Sequence, residues 1–332
     1  MKTKQIVLAS RPKGTLTIAN FKTETITLYK IKNGEVLVKP NYFSVDPYMR
    51  GRMNDAKSYA EPFQIDKSIY GGATATVLES KSGNFKTGNI VVGMLPWQEQ
   101  SVASEKDLRK IDVKIAPESY YLGVLGMTGL TAYFGLIHIC RPQKGETVVV
   151  SGAAGAVGVV VGQIAKIHGC RVIGIAGSDE KVNLLKDKFG FDEVINYKTS
   201  NDLKKEIAKF CPNGVDIYYD NVGGEISDAV IANINFNARI ALCGQISLYN
   251  STEIPVGPRI QPMLLTRSVL MQGFIVGNYS DSFPEGMEHL SNWVKDGKLK
   301  FTETIENGFD NLPTALIGLF SGDNTGKMIV KV

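Results

Sequence analysis

Val148-Val-Val-Ser-Gly-Ala-Ala-Gly-Ala-Val-Gly158 is the most informative stretch of this chain. It opens with β-branched apolar residues, as a buried strand does, and passes through small residues into an apolar helical pattern over 156–167. Inside it, Ala153-x-Gly155-x-x-Gly158 matches the dinucleotide fingerprint with alanine in the first glycine position. The spacing has a physical reason. The chain must turn tightly, Gly155 must present no Cβ where a pyrophosphate approaches, and Gly158 must be small where helix meets strand. The helix that follows offers free N–H groups and the positive end of its dipole. A glycine-rich helix packed closely on a sheet would spell the same letters, so the surrounding pattern has to decide.

Working outward, apolar runs at 147–151, 171–176, 193–197, 215–221, 239–243 and 268–276 alternate with helical patterns, the last near 284–296. Such alternation predicts an α/β fold, a doubly wound parallel sheet of the Rossmann type. Upstream, from Lys4 to about Val113, short runs such as Glu35-Val-Leu-Val-Lys39 and Asn89-Ile-Val-Val-Gly93 stand between turn signals at Asn33-Gly34, Ser82-Gly83 and Thr87-Gly88, a β-rich region. Residues 121–139 read as a buried joining helix ended by Arg141-Pro142. The tail from Phe301 returns to short strands with one helix near 313–320, and is expected to rejoin the first region. The expected domains are therefore 1–122 completed by 300–332, and 123–299.

Composition narrows the function. The 332 residues, 43% apolar and 21% charged, can bury a core for two domains without staples. A balance of 37 Lys+Arg against 33 Asp+Glu, spread along the chain, lacks the basic stripe of a nucleic-acid binder. Cys140, Cys170, Cys211 and Cys243 are scattered, with no metal-ligand spacing toward His138, His168 or His289, which excludes a structural zinc lobe and suits thiols of a reduced, cytoplasmic compartment. The four-residue apolar run at Ile6-Val-Leu-Ala9 is too short for an export signal. The charge-poor windows 119–140 and 147–165 are broken by glycines and hydroxyls, so no membrane span is expected.

Cofactor choice is read at the end of the second strand, Arg171-Val-Ile-Gly-Ile-Ala-Gly-Ser178. An NAD site would place an acid at about 176 or 177 for the ribose 2′-hydroxyl. Here both positions are small and neutral, and Ser178 and Lys181 offer a hydroxyl and an ammonium to a 2′-phosphate. NADP(H) is the expected cofactor. The competing reading makes Ser178 a helix cap and Lys181 a solvated residue.

These residues, with Val45-Asp-Pro-Tyr-Met-Arg50, Gly126-Met-Thr-Gly-Leu-Thr-Ala-Tyr-Phe-Gly135, Asn196-Tyr197, Asp220-Asn-Val-Gly-Gly224, Cys243-Gly-Gln-Ile-Ser-Leu-Tyr249 and Gly322-Asp-Asn-Thr-Gly-Lys327, resemble the medium-chain dehydrogenase/reductase superfamily over nearly the whole chain. Within it they are most similar to the zinc-independent, NADP-dependent alkenal reductases, the group that includes prostaglandin and curcumin reductases. The resemblance implies a GroES-like first domain, a Rossmann domain and a homodimer paired through strand 268–276. Where zinc-using members carry Gly-His-Glu, this chain reads Gly71-Gly72-Ala73, so no metal is expected.

The implied reaction is hydride transfer to the C=C bond of an α,β-unsaturated aldehyde or ketone, with a hydrogen-bond donor at the carbonyl oxygen. In the group the chain resembles, that donor is the nicotinamide ribose 2′-hydroxyl assisted by a tyrosine, here Tyr249, and Tyr48 lines the substrate cleft. Both could instead be packing residues. The implied cofactor contacts are Ala153, Ala154, Gly155, Ala156 and Gly158 at the turn, Ser178, Lys181 and Tyr197 near the adenosine phosphate, and Asn221 near the nicotinamide. Further contacts would come from Cys243, Gly244, Ser247, Tyr249, Phe274, Ile275, Val276 and Asn324. Arg50 and Arg52 read as solvated surface or as attractors of a substrate carboxylate, and His138 and His168 as packing residues. An NADPH quinone oxidoreductase, or an NADPH-binding protein without turnover, would share the fold.

Overall fold

The computed structural model describes all 332 residues. Met1–Leu122, Glu303–Asn324 and Met328–Val332 form one compact unit, and Gly123–Thr302 with Thr325–Lys327 form a second. Lys300 to Thr302 and the short return at 325–327 thus lie with the second unit, inside the tail that the sequence assigns to the first.

The first unit is antiparallel. Strands β1 (Lys2–Leu8) and β2 (Phe21–Thr27) pair as a ribbon. A larger sheet holds β3 (Glu35–Ser44), β4 (Tyr70–Ser80), β5 (Ile90–Pro96), β6 (Ser101–Ser104) and β7 (Leu108–Lys110). Ala73, Ala75 and Val77 of β4 are all fully buried, the period-two signature of a sheet with one face on the core. Between β3 and β4, helix α1 (Tyr48–Arg52) corrects the reading of its arginines. Arg50 is 3% exposed and donates to the Gly14 carbonyl at 2.9 Å and to Asn54 Oδ1 at 2.7 Å. The Arg52 guanidinium lies 4.2 Å from the Phe63 ring centroid. Arg50 ties its loops to the core, because a buried guanidinium is tolerated only where its donors are satisfied, while half-buried Arg52 also donates to the Glu61 carbonyl at 2.9 Å.

The second unit runs through α2 (Met127–Tyr133), β8 (Thr147–Ser151), α3 (Gly158–Ile167), β9 (Arg171–Ala176), α4 (Asp179–Asp187), β10 (Glu193–Asn196) and α5 (Leu203–Phe210). It continues with β11 (Val215–Asp220), α6 (Gly224–Ile231), β12 (Ile234–Leu242), α7 (Gln261–Thr266), β13 (Leu270–Gly273) and α8 (Phe283–Lys295). Its six strands are parallel in the order β10-β9-β8-β11-β12-β13, the doubly wound arrangement whose ligands bind outside the carboxyl ends of the strands. Returning through β14 (Glu303–Asn307) and α9 (Leu312–Ser321), the chain ends on β15 (Lys327–Lys331), whose residues 329–331 pair with β3.

Three elements differ from the sequence reading. The helix expected over 121–139 is a 3₁₀ turn at Glu118–Leu122, then α2 and a π-helical segment, Phe134–Cys140. Extended backbone at Gly126 interrupts it, and the Gly129 N–H bonds back to the Gly123 carbonyl. Strand β12 starts five residues early, at Ile234, across an irregularity in its pairing with β11; Asn237, at φ 58°, interrupts the apolar pattern there. The strand expected over 268–276 is only Leu270–Gly273, because Ser268 turns at φ 53° and Phe274 leaves the ladder to pack edge-on against Tyr219. No helix is long and apolar enough to cross a membrane.

Candidate active site

Neighbouring turns at the carboxyl edge of the parallel sheet carry most of the residues named from the sequence. The first joins β8 to α3. Gly155 N–H bonds to the Gly152 carbonyl at 3.0 Å, closing the turn, while Ala153 N–H is held by Ile175 on the next strand. A Cβ on Gly158 would sit 2.5 Å from the Gly152 oxygen, so a side chain there would push the helix off the turn. In the first turn of α3 the N–H groups of Val159, Val160 and Val161 go to the Gly155 and Val157 carbonyls, and Gly155 and Ala156 are half-exposed beside it. From far along the chain, Gly326 N–H donates to the Ala154 carbonyl at 2.7 Å. Asn324 precedes this contact by two residues and is counted with the other unit.

The second turn joins β9 to α4. Ser178 Oγ accepts the Lys181 N–H at 3.3 Å, so the helix-capping role is real, and the Lys181 side chain is half-buried. Tyr197 closes over this turn from the end of β10, its N–H on the Ala176 carbonyl. A Cβ on Gly177 would meet the Tyr197 ring at 3.0 Å and Lys198 Cε at 3.3 Å. A side chain at 177 would have to displace the Tyr197 ring, and exposed Lys198 brings a second ammonium to the same turn. Sequence reasoning passed over Lys198, although it follows Asn196-Tyr197 directly.

The third region couples the ends of β11 and β12. Asn221 Nδ2 donates to the Ser151 carbonyl at 2.8 Å and its N–H to Ser151 Oγ at 2.9 Å. Cys243 and Gly244 donate their N–H groups to the Asp220 carbonyl at 2.9 and 3.1 Å. Ser247 binds the Val222 carbonyl through its hydroxyl at 2.6 Å. The Gln245 N–H donates to Tyr249 Oη at 3.3 Å. Burial raises the Tyr249 phenol above its ordinary pKa, so it remains protonated. Behind these loops, Asp220 is fully buried and accepts bonds from Ser151, Tyr218 and Gln245, a hub that sequence reasoning missed.

A cavity of about 490 Å³ opens beside the loop, lined by Asp220, Cys243, Gln245, Tyr249, Met271 and Ile275 among others. Phe274, 8% exposed, and Ile275, on a more open edge, both line it, and Val276 begins the next 3₁₀ turn. Burial pushes the Cys243 thiol up to about 12, which leaves no thiolate for nucleophilic chemistry. Tyr48 lies in the other unit, half-buried, with burial and the Asp46 carboxylate raising its pKa.

His138 pairs with Glu285 at 3.2 Å, Glu285 also accepts the Tyr133 hydroxyl, and Tyr133 stacks on His289. His168 packs edge-on against Trp293 of the same helix α8. No three His, Cys, Asp or Glu side chains stand together as metal ligands, and the four thiols are separate.

Residues 4–111 match the family described as the N-terminal domain of oxidoreductase, and residues 156–292 match the one described as zinc-binding dehydrogenase. The donor set of this chain does not fit the zinc of that description. A Bacillus subtilis protein named as an NADP-dependent oxidoreductase is 58% identical over 330 residues, 99% of this chain and 97% of its own. The NADP-dependent 2-alkenal reductase of Nicotiana tabacum is 45% identical over 334 residues, 99% of this chain and 97% of the relative. The crystal structure of CurA from Vibrio vulnificus in complex with NADPH superposes with a TM-score of 0.94 at 44% identity, covering 99% of both chains. By this similarity along its full length, the chain belongs to the medium-chain dehydrogenase/reductase family, in its group of NADP-dependent alkenal reductases.

Proposed function

We propose that this chain is an NADPH-dependent reductase that saturates the C=C bond of α,β-unsaturated aldehydes and ketones. One observation carries the site assignment: the Tyr249 oxygen accepts the Gln245 N–H, which leaves the phenolic proton free to be donated into the adjoining cavity. The residues fit NADP(H). The 153–158 turn and the first turn of α3 would take the pyrophosphate. Ser178, Lys181, Tyr197 and Lys198 would take the 2′-phosphate, and Asn221, the 243–249 loop, residues 274–276 and Asn324 the nicotinamide half. When bound, the reduced nicotinamide supplies a hydride for the β-carbon of the substrate.

The protein's part is to hold a proton at Tyr249 Oη, where negative charge develops on the substrate carbonyl oxygen. A phenol with a raised pKa does this across the neutral range without tuning. Tyr48 would line the substrate side. A dimer through β13 is part of the same reading. The strand ends the sheet, Leu270 is 47% exposed, and an edge strand left bare invites pairing with another copy. Four unpaired thiols suit a reduced compartment, the cytoplasm.

Purified protein given NADPH and a medium-chain 2-alkenal should oxidise the cofactor and yield the saturated aldehyde, identified by mass and NMR, faster than with NADH. Saturable NADPH binding with no turnover of any enal or enone would abandon this reading, and turnover of quinones alone would replace it.

A further inference from the structure

We infer that Asp220 is a positioning residue that sets the place of the Tyr249 phenol through Gln245; this rests on the reading of Tyr249 as the proton donor. Asp220 ends β11 with no exposed surface. Its Oδ1 accepts the Tyr218 hydroxyl at 2.8 Å, the Ser151 hydroxyl at 3.0 Å, and the N–H groups of Val222 at 3.0 Å and Gly223 at 2.9 Å. Its Oδ2 takes one donor, Gln245 Nε2, at 3.0 Å. One carboxylate therefore collects donors from β8, its own strand, the turn after it and the loop after β12.

The two oxygens have separable duties. Oδ1 shapes the turn that carries Asn221. Oδ2 reaches across to Gln245, whose backbone N–H is the bond to Tyr249 Oη. Gln245 can lie across this gap because Gly223, at φ 75°, has no side chain: a Cβ there would stand 2.1 Å from Gln245 Oε1. The position requires a group that only accepts. An asparagine would keep the volume, but its NH₂ would face either the Oδ1 donors or the Gln245 amide. A buried charge whose hydrogen-bond donors include no cation is expensive for a fold to keep, and five donors converging on it offset that cost.

The test compares Asp220→Asn and Gln245→Met, each alone and combined with Tyr249→Phe, in the full chain with NADPH and a 2-alkenal. Gln245→Met removes the bridge, together with the Nε2 bond to the Gly244 carbonyl, and leaves the four Oδ1 donors satisfied, so it stands in if Asp220→Asn fails to fold. Asp220→Asn should lower kcat about tenfold and Gln245→Met about threefold, each by a larger factor than it raises the NADPH Kd. In the Tyr249→Phe background neither should lower kcat further, because the group they position is gone. Losses that multiply across the two backgrounds, or full kcat in Gln245→Met, overturn the proposal while Tyr249 stands. Wild-type turnover in Tyr249→Phe alone overturns both.

Discussion

The turn at 153–158 and the hub at Asp220 lie on adjacent strands of one sheet edge, yet they are built on opposite principles. The turn is nearly all backbone: small residues, a helix start and N–H groups, with the determinants packed into six consecutive positions. The hub is side chain: one carboxylate reached by Ser151 from 69 residues upstream and by Gln245 from 25 residues downstream. Local backbone geometry writes itself into sequence spacing, whereas a convergence of distant side chains does not.

The difference predicts different failures. Gly158→Val should break the turn outright, because its Cβ has no space beside the Gly152 oxygen. The cost is about 3 kcal/mol of stability and at least about a hundredfold in NADPH affinity, measured by thermal melting and fluorescence titration. Normal NADPH binding by this variant would remove the turn from the site. At the hub the failure should be kinetic instead. Tyr249→Phe is expected to lower kcat about ten- to a hundredfold with cofactor affinity intact, and a change in Kd of the same size would erase the contrast.

The phosphate end tests whether charge can be read as plainly as spacing. Lys181→Ala should weaken NADPH about tenfold, and Lys198→Ala about threefold since it is exposed, with NADH unaffected. Equal effects on both cofactors would mean the lysines do not meet a 2′-phosphate.

The smallest effect lies outside both regions, in the cluster on α8. Burial, with His289 nearby, lowers the His168 pKa, so the folded protein holds this imidazole neutral. Its contribution is complete above about pH 6.5 and lost as pH falls through the lower folded value. Tyr133 and His138 lower the Glu285 pKa, and that contribution goes at still lower pH. The Tm should fall by a few degrees between pH 7 and 5, and a His168→Phe variant that falls just as far would exclude His168 as the cause.

Much of this fold was legible because it is periodic. The parallel strands at 147–151 and 171–176 coincide with the elements observed, since their largely apolar runs have nowhere to go but a covered sheet. What stayed hidden depended on conformation rather than composition: the positive φ of Asn237 and Ser268, and the inward turn of Phe274. In the candidate site, Asn221 was visible as a polar residue just past a strand, whereas Tyr249 came from the resemblance alone. Asp220 was quoted within a motif and assigned no role, because nothing in Asp-Asn-Val-Gly-Gly tells which donors will surround the acid. Arg50 was misread for the same reason, its acceptors at Gly14 and Pro12 lying 36 and 38 residues away.

The bond from Gly326 N–H to the Ala154 carbonyl links the phosphate turn to the order of synthesis. Strand β8, the turn and helix α3 leave the ribosome long before Gly326 is made, and the parallel sheet can assemble around them as the chain emerges. The turn nevertheless lacks one of its anchors until translation has passed residue 326, whose own φ of 67° and fit against the Thr302 carbonyl suit only glycine. Nascent chains arrested before that point should carry a folded sheet and bind NADPH weakly, which ribosome-bound titration would reveal.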